Sequence, residues 1–142
     1  MKHRKSKSPV TQCKDRIQSV LREIAIKTYG KCVLSKYRET GVCGPRRKDG
    51  QIIVQAEHLV SRARSVSYAD MRNIVLLCKR HHGYWKTQNS RRYWEIIEEI
   101  IGPERWKWIK KVEADQRGYN FQLYDWEKLE IGLRDELKKL NL

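Results

Sequence analysis

Apolar residues recur along this chain with two different periods. Ile17, Val20, Leu21 and Ile24 repeat at helical spacing behind Thr11, a suitable N-cap, and Gly30 closes the run. That pattern predicts an amphipathic helix over about 11–28. Residues 31–50 hold Gly41, Gly44, Pro45 and Gly50 and read as an irregular loop. Gln51–His58 is β-branched at Ile52, Ile53 and Val54, and Asn73–Cys78 is a short, almost fully apolar run. Both predict strands, close enough in sequence to pair as an antiparallel hairpin. Ser61–Met71 between them is polar and basic. A helix is expected from Lys79 to about Gln88. Ser90 is placed to cap another, with Tyr93, Ile96, Ile97, Ile100 and Ile101 on one face, until Gly102-Pro103 stops it. Trp106, Ile109 and Val112 mark a further helix. Asp125 is placed to cap the last, striped by Trp126, Leu129, Leu133, Leu137 and Leu140. The predicted class is α+β: a small ββα core, an N-terminal helix and C-terminal helices.

Composition narrows this picture. A chain of 142 residues with 39% hydrophobic content suits one modest core, here assigned to residues 10–142 behind a basic, disordered tail at 1–9. The longest apolar run is Ile74–Cys78, far short of a membrane span. The basic N-terminus lacks the apolar stretch of a secretory signal, so a reducing, cytoplasmic setting is expected. There the four cysteines are free or metal-bound rather than paired. Cys13 reads as core or surface.

Charge adds more. The net charge is +14, but residues 1–92 carry +16 and residues 93–142 carry −2. A one-sided field of this size predicts a polyanionic partner. The basic segments are loop-like and broken by Gly, Ser and Pro, which favours nucleic acid over a membrane surface.

Chemistry-bearing residues concentrate in the strand–loop–strand–helix. Glu57 and His58 end the first strand, Asn73 opens the second, and Cys78, His81 and His82 begin the helix. A hairpin would return Glu57-His58 beside His82, joining carboxylate and imidazole in a hard-to-borderline site for a divalent ion. The series Ala56-Glu57-His58-Leu59-Val60-Ser61-Arg62, Asn73-Ile74-Val75-Leu76-Leu77-Cys78 and Lys79-Arg80-His81-His82 resembles an HNH endonuclease of the ββα-metal superfamily, bacteriophage type. The resemblance covers about residues 29–90. It implies a DNA phosphodiester hydrolase. His58 would be the general base, Glu57 and His82 would hold one Mg²⁺ or Mn²⁺, and Asn73 would pin the loop or help hold the metal. Arg62 would grip phosphate, and the products would be 5′-phosphate and 3′-hydroxyl ends. The family carries Asp or His more often than Glu at the position of Glu57, whose side chain is one methylene longer than Asp.

Many HNH proteins also carry a structural zinc on two Cys-x-x-Cys knuckles. Here the first reads Cys32-Val33-Leu34-Ser35 and the second Cys78-Lys79-Arg80-His81. Cys43 can replace Ser35, giving Cys32, Cys43, Cys78 and His81 as a Cys₃His set for Zn²⁺. The other reading is that these cysteines are small core residues. Arg46, Arg47 and Lys48 form either a phosphate-contacting or a merely solvated loop. Arg62, Arg64 and Arg80 complete the candidate DNA contacts, and Trp85 reads as core. The competing function is a zinc-stabilised DNA-binding protein without catalysis; an RNA-directed nuclease is a third. One centre cuts one strand, so a double-strand break would take a dimer or two visits.

Overall fold

A computed structural model describes residues 5–115 and 117–142. They form six α-helices and a two-stranded antiparallel sheet, confirming the α+β class. The expected tail lies partly outside the described residues, at positions 1–4.

Helix α1 spans Pro9–Tyr29. It starts two residues before the expected Thr11 cap, because Ser8 takes that role: its side chain accepts from the Thr11 N–H at 3.1 Å, with Pro9 at the first helical position. Gly30, at φ 77°, turns the chain out and donates its N–H to Ile26 O.

Strand β1 covers Val54–His58 and β2 covers Ile74–Cys78, in a register that pairs Glu57 with Val75 and His58 with Ile74. The first strand is shorter than its β-branched run, since Ile52 pairs with Arg46 in a separate bridge. The intervening segment contains a single helical turn, α2 (Ser65–Tyr68), and a 3-10 turn, Met71–Asn73. Residues 79–88 are helical as expected, but wound as a π-helix over His81–Trp85 before α3 (Lys86–Gln88). The last helices are α4 (Ser90–Ile101), α5 (Pro103–Ala114) and α6 (Leu123–Leu140). Ser90 and Asp125 are not N-caps. Asn89 precedes α4, and Asp125 works from inside the first turn of α6, accepting the Gln122 N–H at 2.8 Å.

Every residue of β2 is buried, and the strand's alternation sends its side chains to two cores. Ile74 and Leu76 pack with Ile17, Leu21 and Ile24 of α1 and with Trp126 and Leu133 of α6. Val75 and Leu77 pack with Trp85, with Tyr93, Ile96 and Ile97 of α4, and with Ile109 of α5.

A hairpin this short is marginal alone, and both its edges are covered. Along β1, Gln18 and Arg22 of α1 donate to Ala56 O (3.3 Å) and Val54 O (2.9 Å). Along β2, Ile74 O accepts from Tyr29 and Arg105, and Leu76 O from the Val33 N–H. No helix among the described residues is long and apolar enough to cross a membrane.

Candidate metal and nucleic-acid site

The end of β1 opens on a polar cleft of about 400 Å³ lined by Glu57, His58, Leu59, Ser61, Arg62, His82 and Lys86. Glu57 and His58 are neighbours on a strand, so their side chains leave opposite faces. They line the same cleft because it wraps the strand's open end.

His58 is 7% exposed, and its Nε2–H donates to Tyr68 O at 2.8 Å. That bond fixes the tautomer and leaves Nδ1 without a donor. Burial pushes the imidazole down to about 4; the Tyr68 carbonyl opposes this, while Arg62 and Lys14 add to it. The ring is therefore neutral, with a bare lone pair.

Glu57 is 5% exposed. Its Oε1 accepts from Lys86 Nζ at 2.9 Å, and its Oε2 faces His82 Nδ1 in direct contact. Neither Oε2 nor Nδ1 has a hydrogen-bond partner. A proton on Nδ1 would be shared with Oε2, and a divalent ion would take that proton's place with the two atoms drawn apart. A carboxylate oxygen and an imidazole nitrogen are the donor types that hold Mg²⁺ or Mn²⁺ with positions left open. Burial lowers His82, and the Lys86 charge lowers it further, which keeps it in the ligating form.

Asn73 does not reach the cleft. It is fully buried, and its amide is spent on backbone: Oδ1 accepts from the Val60 N–H, and Nδ2 donates to Ser67 O (3.1 Å) and Val60 O (3.3 Å). Of its two expected roles the geometry supports pinning, because Asn73 ties the loop that carries Arg62 to the start of β2.

A second constellation lies at the other end of the hairpin. The ligand atoms of Cys32, Cys43, Cys78 and His81 all lie within 4.8 Å of one another. His81 Nδ1 is 3.0 Å from the Cys78 sulfur, 3.4 Å from Cys32 and 3.6 Å from Cys43. Tetrahedral zinc with bonds of about 2.3 Å to sulfur and 2.0–2.1 Å to nitrogen has N···S edges of roughly 3.6 Å, so the cluster is close to the size of the ion. His81 Nε2–H donates to Thr40 O at 3.0 Å, which turns Nδ1 toward the thiols. Burial raises the Cys32 and Cys43 thiols, so loading a metal must drive protons off them. The four residues can hold a metal ion and fit structural zinc.

The basic candidates divide. Arg62 is exposed at the cleft. Arg64 is turned away, donating to the Asp115 and Glu113 carbonyls at the end of α5. Arg80 braces the loop before Cys43 through Thr40 O (2.9 Å) and Val42 O (2.8 Å). Arg46 and Arg47 bond Gly50 O and Gln51 Oε1 across their own turn. They still line an open crevice of about 530 Å³ with Arg22 and Lys31 at the Val54 end of β1, while Lys48 beside them is exposed. Trp85 is core, as expected.

Lys86 is the site residue that motif reading missed. The helical spacing from His82 was its available signal, since i and i+4 share a face. Comparisons with protein-family models, curated proteins and solved structures give no match.

Proposed function

We propose that this protein is a metal-dependent DNA endonuclease of the HNH type. The observation that carries the reading is that Glu57, His58 and His82 line one cleft beside Arg62 and Lys86, with Glu57 Oε2 against His82 Nδ1 and His58 Nδ1 buried without a hydrogen-bond partner. A zinc knuckle needs none of these three atoms to fold.

Glu57 and His82 would hold one Mg²⁺ or Mn²⁺. When bound, that ion supplies positive charge to the leaving 3′ oxygen and the crowded phosphate oxygens. The chain's own residues do the rest. Arg62 draws the phosphodiester into the cleft. His58 Nδ1 takes the proton from the attacking water, and the Tyr68 carbonyl on its other nitrogen steadies the imidazolium that forms. A phosphate beside Arg62 also offsets one of the charges that depress His58, raising its basicity when substrate is present. Asn73 holds the Arg62 loop in register. The Cys₃His cluster, loaded with Zn²⁺, clamps the loop before β1 to the helix after β2.

Incubation of the protein with plasmid DNA in Mg²⁺, in Mn²⁺ and in EDTA tests this. Metal-dependent nicking is expected, with His58→Ala lowering the single-turnover rate about 10²–10⁴-fold while leaving DNA binding intact. DNA binding without cleavage in any metal would favour the zinc-stabilised binding protein, and cleavage of RNA alone would favour the RNA-directed enzyme.

A further inference from the structure

We propose that Lys86 makes the Glu57–His82 metal site conditional on a bound phosphodiester, so that metal and DNA bind cooperatively. The inference rests on the nuclease reading and adds an order of assembly to it.

Among the cleft-lining residues Glu57 is the one carboxylate, and Lys86 and Arg62 are cations. With neutral imidazoles the lining carries a net +1 before any metal arrives. The carboxylate is already engaged, since Lys86 Nζ sits 2.9 Å from Glu57 Oε1. The ammonium is also held in place. Its side chain is 26% exposed, and Nζ lies 5.0 Å from the Tyr93 ring centre and 5.6 Å from that of Trp94. Cation–π attraction to two rings opposes its swinging out to make room for a second cation. A divalent ion entering the cleft ahead of DNA therefore meets one carboxylate and two positive charges in a partly desolvated setting, where repulsion is weakly screened.

A phosphodiester changes the balance by bringing negative oxygens against Arg62 and Lys86. The metal then completes a cluster of alternating sign. By linkage, the factor by which DNA tightens metal binding equals the factor by which metal tightens DNA binding.

Mn²⁺ titration of the full chain followed by electron paramagnetic resonance tests this without relying on turnover. The arms are wild type, Lys86→Arg and Lys86→Met, alone and with a short duplex. The duplex arms are run in a His58→Ala background so that DNA stays whole, and Mn²⁺ bound by DNA alone is subtracted. Without DNA, wild type and Lys86→Arg should bind Mn²⁺ weakly, and Lys86→Met about tenfold or more tightly. With DNA, affinity should rise about tenfold or more when residue 86 is charged and clearly less in Lys86→Met. Lys86→Gln repeats the neutral arm should Lys86→Met fail to fold by circular dichroism. A neutral variant that binds Mn²⁺ no more tightly than wild type, or that shows the same DNA-induced gain, overturns the proposal. That outcome leaves the nuclease reading standing if wild type still cleaves. Absence of both cleavage and Mn²⁺ binding in wild type would remove both.

Discussion

His58 and Asn73 are the first and central members of one motif, and their surroundings give them opposite tasks. His58 lines a cleft and keeps Nδ1 without a hydrogen-bond partner, whereas the Asn73 amide is spent on backbone. Asn73→Ala should therefore cost about 1–3 kcal/mol by leaving the Val60 N–H without its acceptor in the interior. Urea denaturation measures that loss. Cleavage should fall through the loosened Arg62 loop, with the metal concentration for half-maximal rate unchanged. A variant that instead shifts the metal requirement would put Asn73 among the ligands. Glu57→Ala and His82→Ala, in contrast, should raise the metal requirement, and high metal should partly restore rate. Identities at this scale were legible in the sequence, since Glu57, His58, Arg62 and His82 all meet at the cleft. Tautomer and partners were not. That His58 spends Nε2 on Tyr68, or that Arg64 and Arg80 spend their guanidiniums on carbonyls, depends on contacts between residues up to 51 positions apart.

The hairpin is a small element stabilised from outside, and the devices that stabilise it escape any periodicity argument. Helix α1 was visible from its apolar stripe, but its polar residues Gln18 and Arg22 cover the β1 edge, and Arg105 of α5 satisfies the start of β2. Helices α1 and α6 are also joined by Glu130, which is largely buried and accepts from Arg16, Arg134 and Cys13. Burial alone would raise this carboxyl, but the hydrogen bonds from Arg134, Arg16 and Cys13 together hold it below its usual value. A depressed folded-state pKa gives stability above the unfolded value, lost as pH falls through the folded one. Glu130→Gln should thus lower stability by about 1 kcal/mol at neutral pH, the half-exposed arginines limiting the effect. The gap to wild type should close as pH drops below about 4. Melting curves across pH 3–7 check this, and a constant gap would mean that Glu130 acts by packing alone. In the loop before Cys43, Gly41 has φ 80°, and a Cβ there would come within 2.7 Å of Arg80 Nη2. Gly41→Ala should loosen Arg80 from the 40–42 carbonyls and speed loss of zinc to a chelator.

At the scale of the molecule the +16 of residues 1–92 is not one undivided grip. Arg64 and Arg80 brace backbone, and Arg72 and Arg92 pair with Asp70 and Glu39. Part of the remaining charge lies at the two ends of β1. One end holds the cleft with Arg62, and the other holds the crevice of Arg22, Lys31, Arg46 and Arg47. Five strand residues span roughly 13–17 Å, a few nucleotides of backbone, so one strand can touch both ends. Each phosphate contact adds about 0.9 to the log–log salt slope of duplex binding. Arg46→Ala with Arg47→Ala should then weaken binding and flatten the slope by up to about 2, while single-turnover cleavage at saturating enzyme stays near wild type. Arg62→Ala should do the reverse, changing the slope by at most about 1 and lowering the saturated rate, because its guanidinium meets charge that grows in the transition state. Salt titrations of binding beside single-turnover rates for the two variants separate these effects. If the double variant loses rate at saturation while Arg62→Ala keeps it, the reacting phosphate lies at the crevice and not at His58.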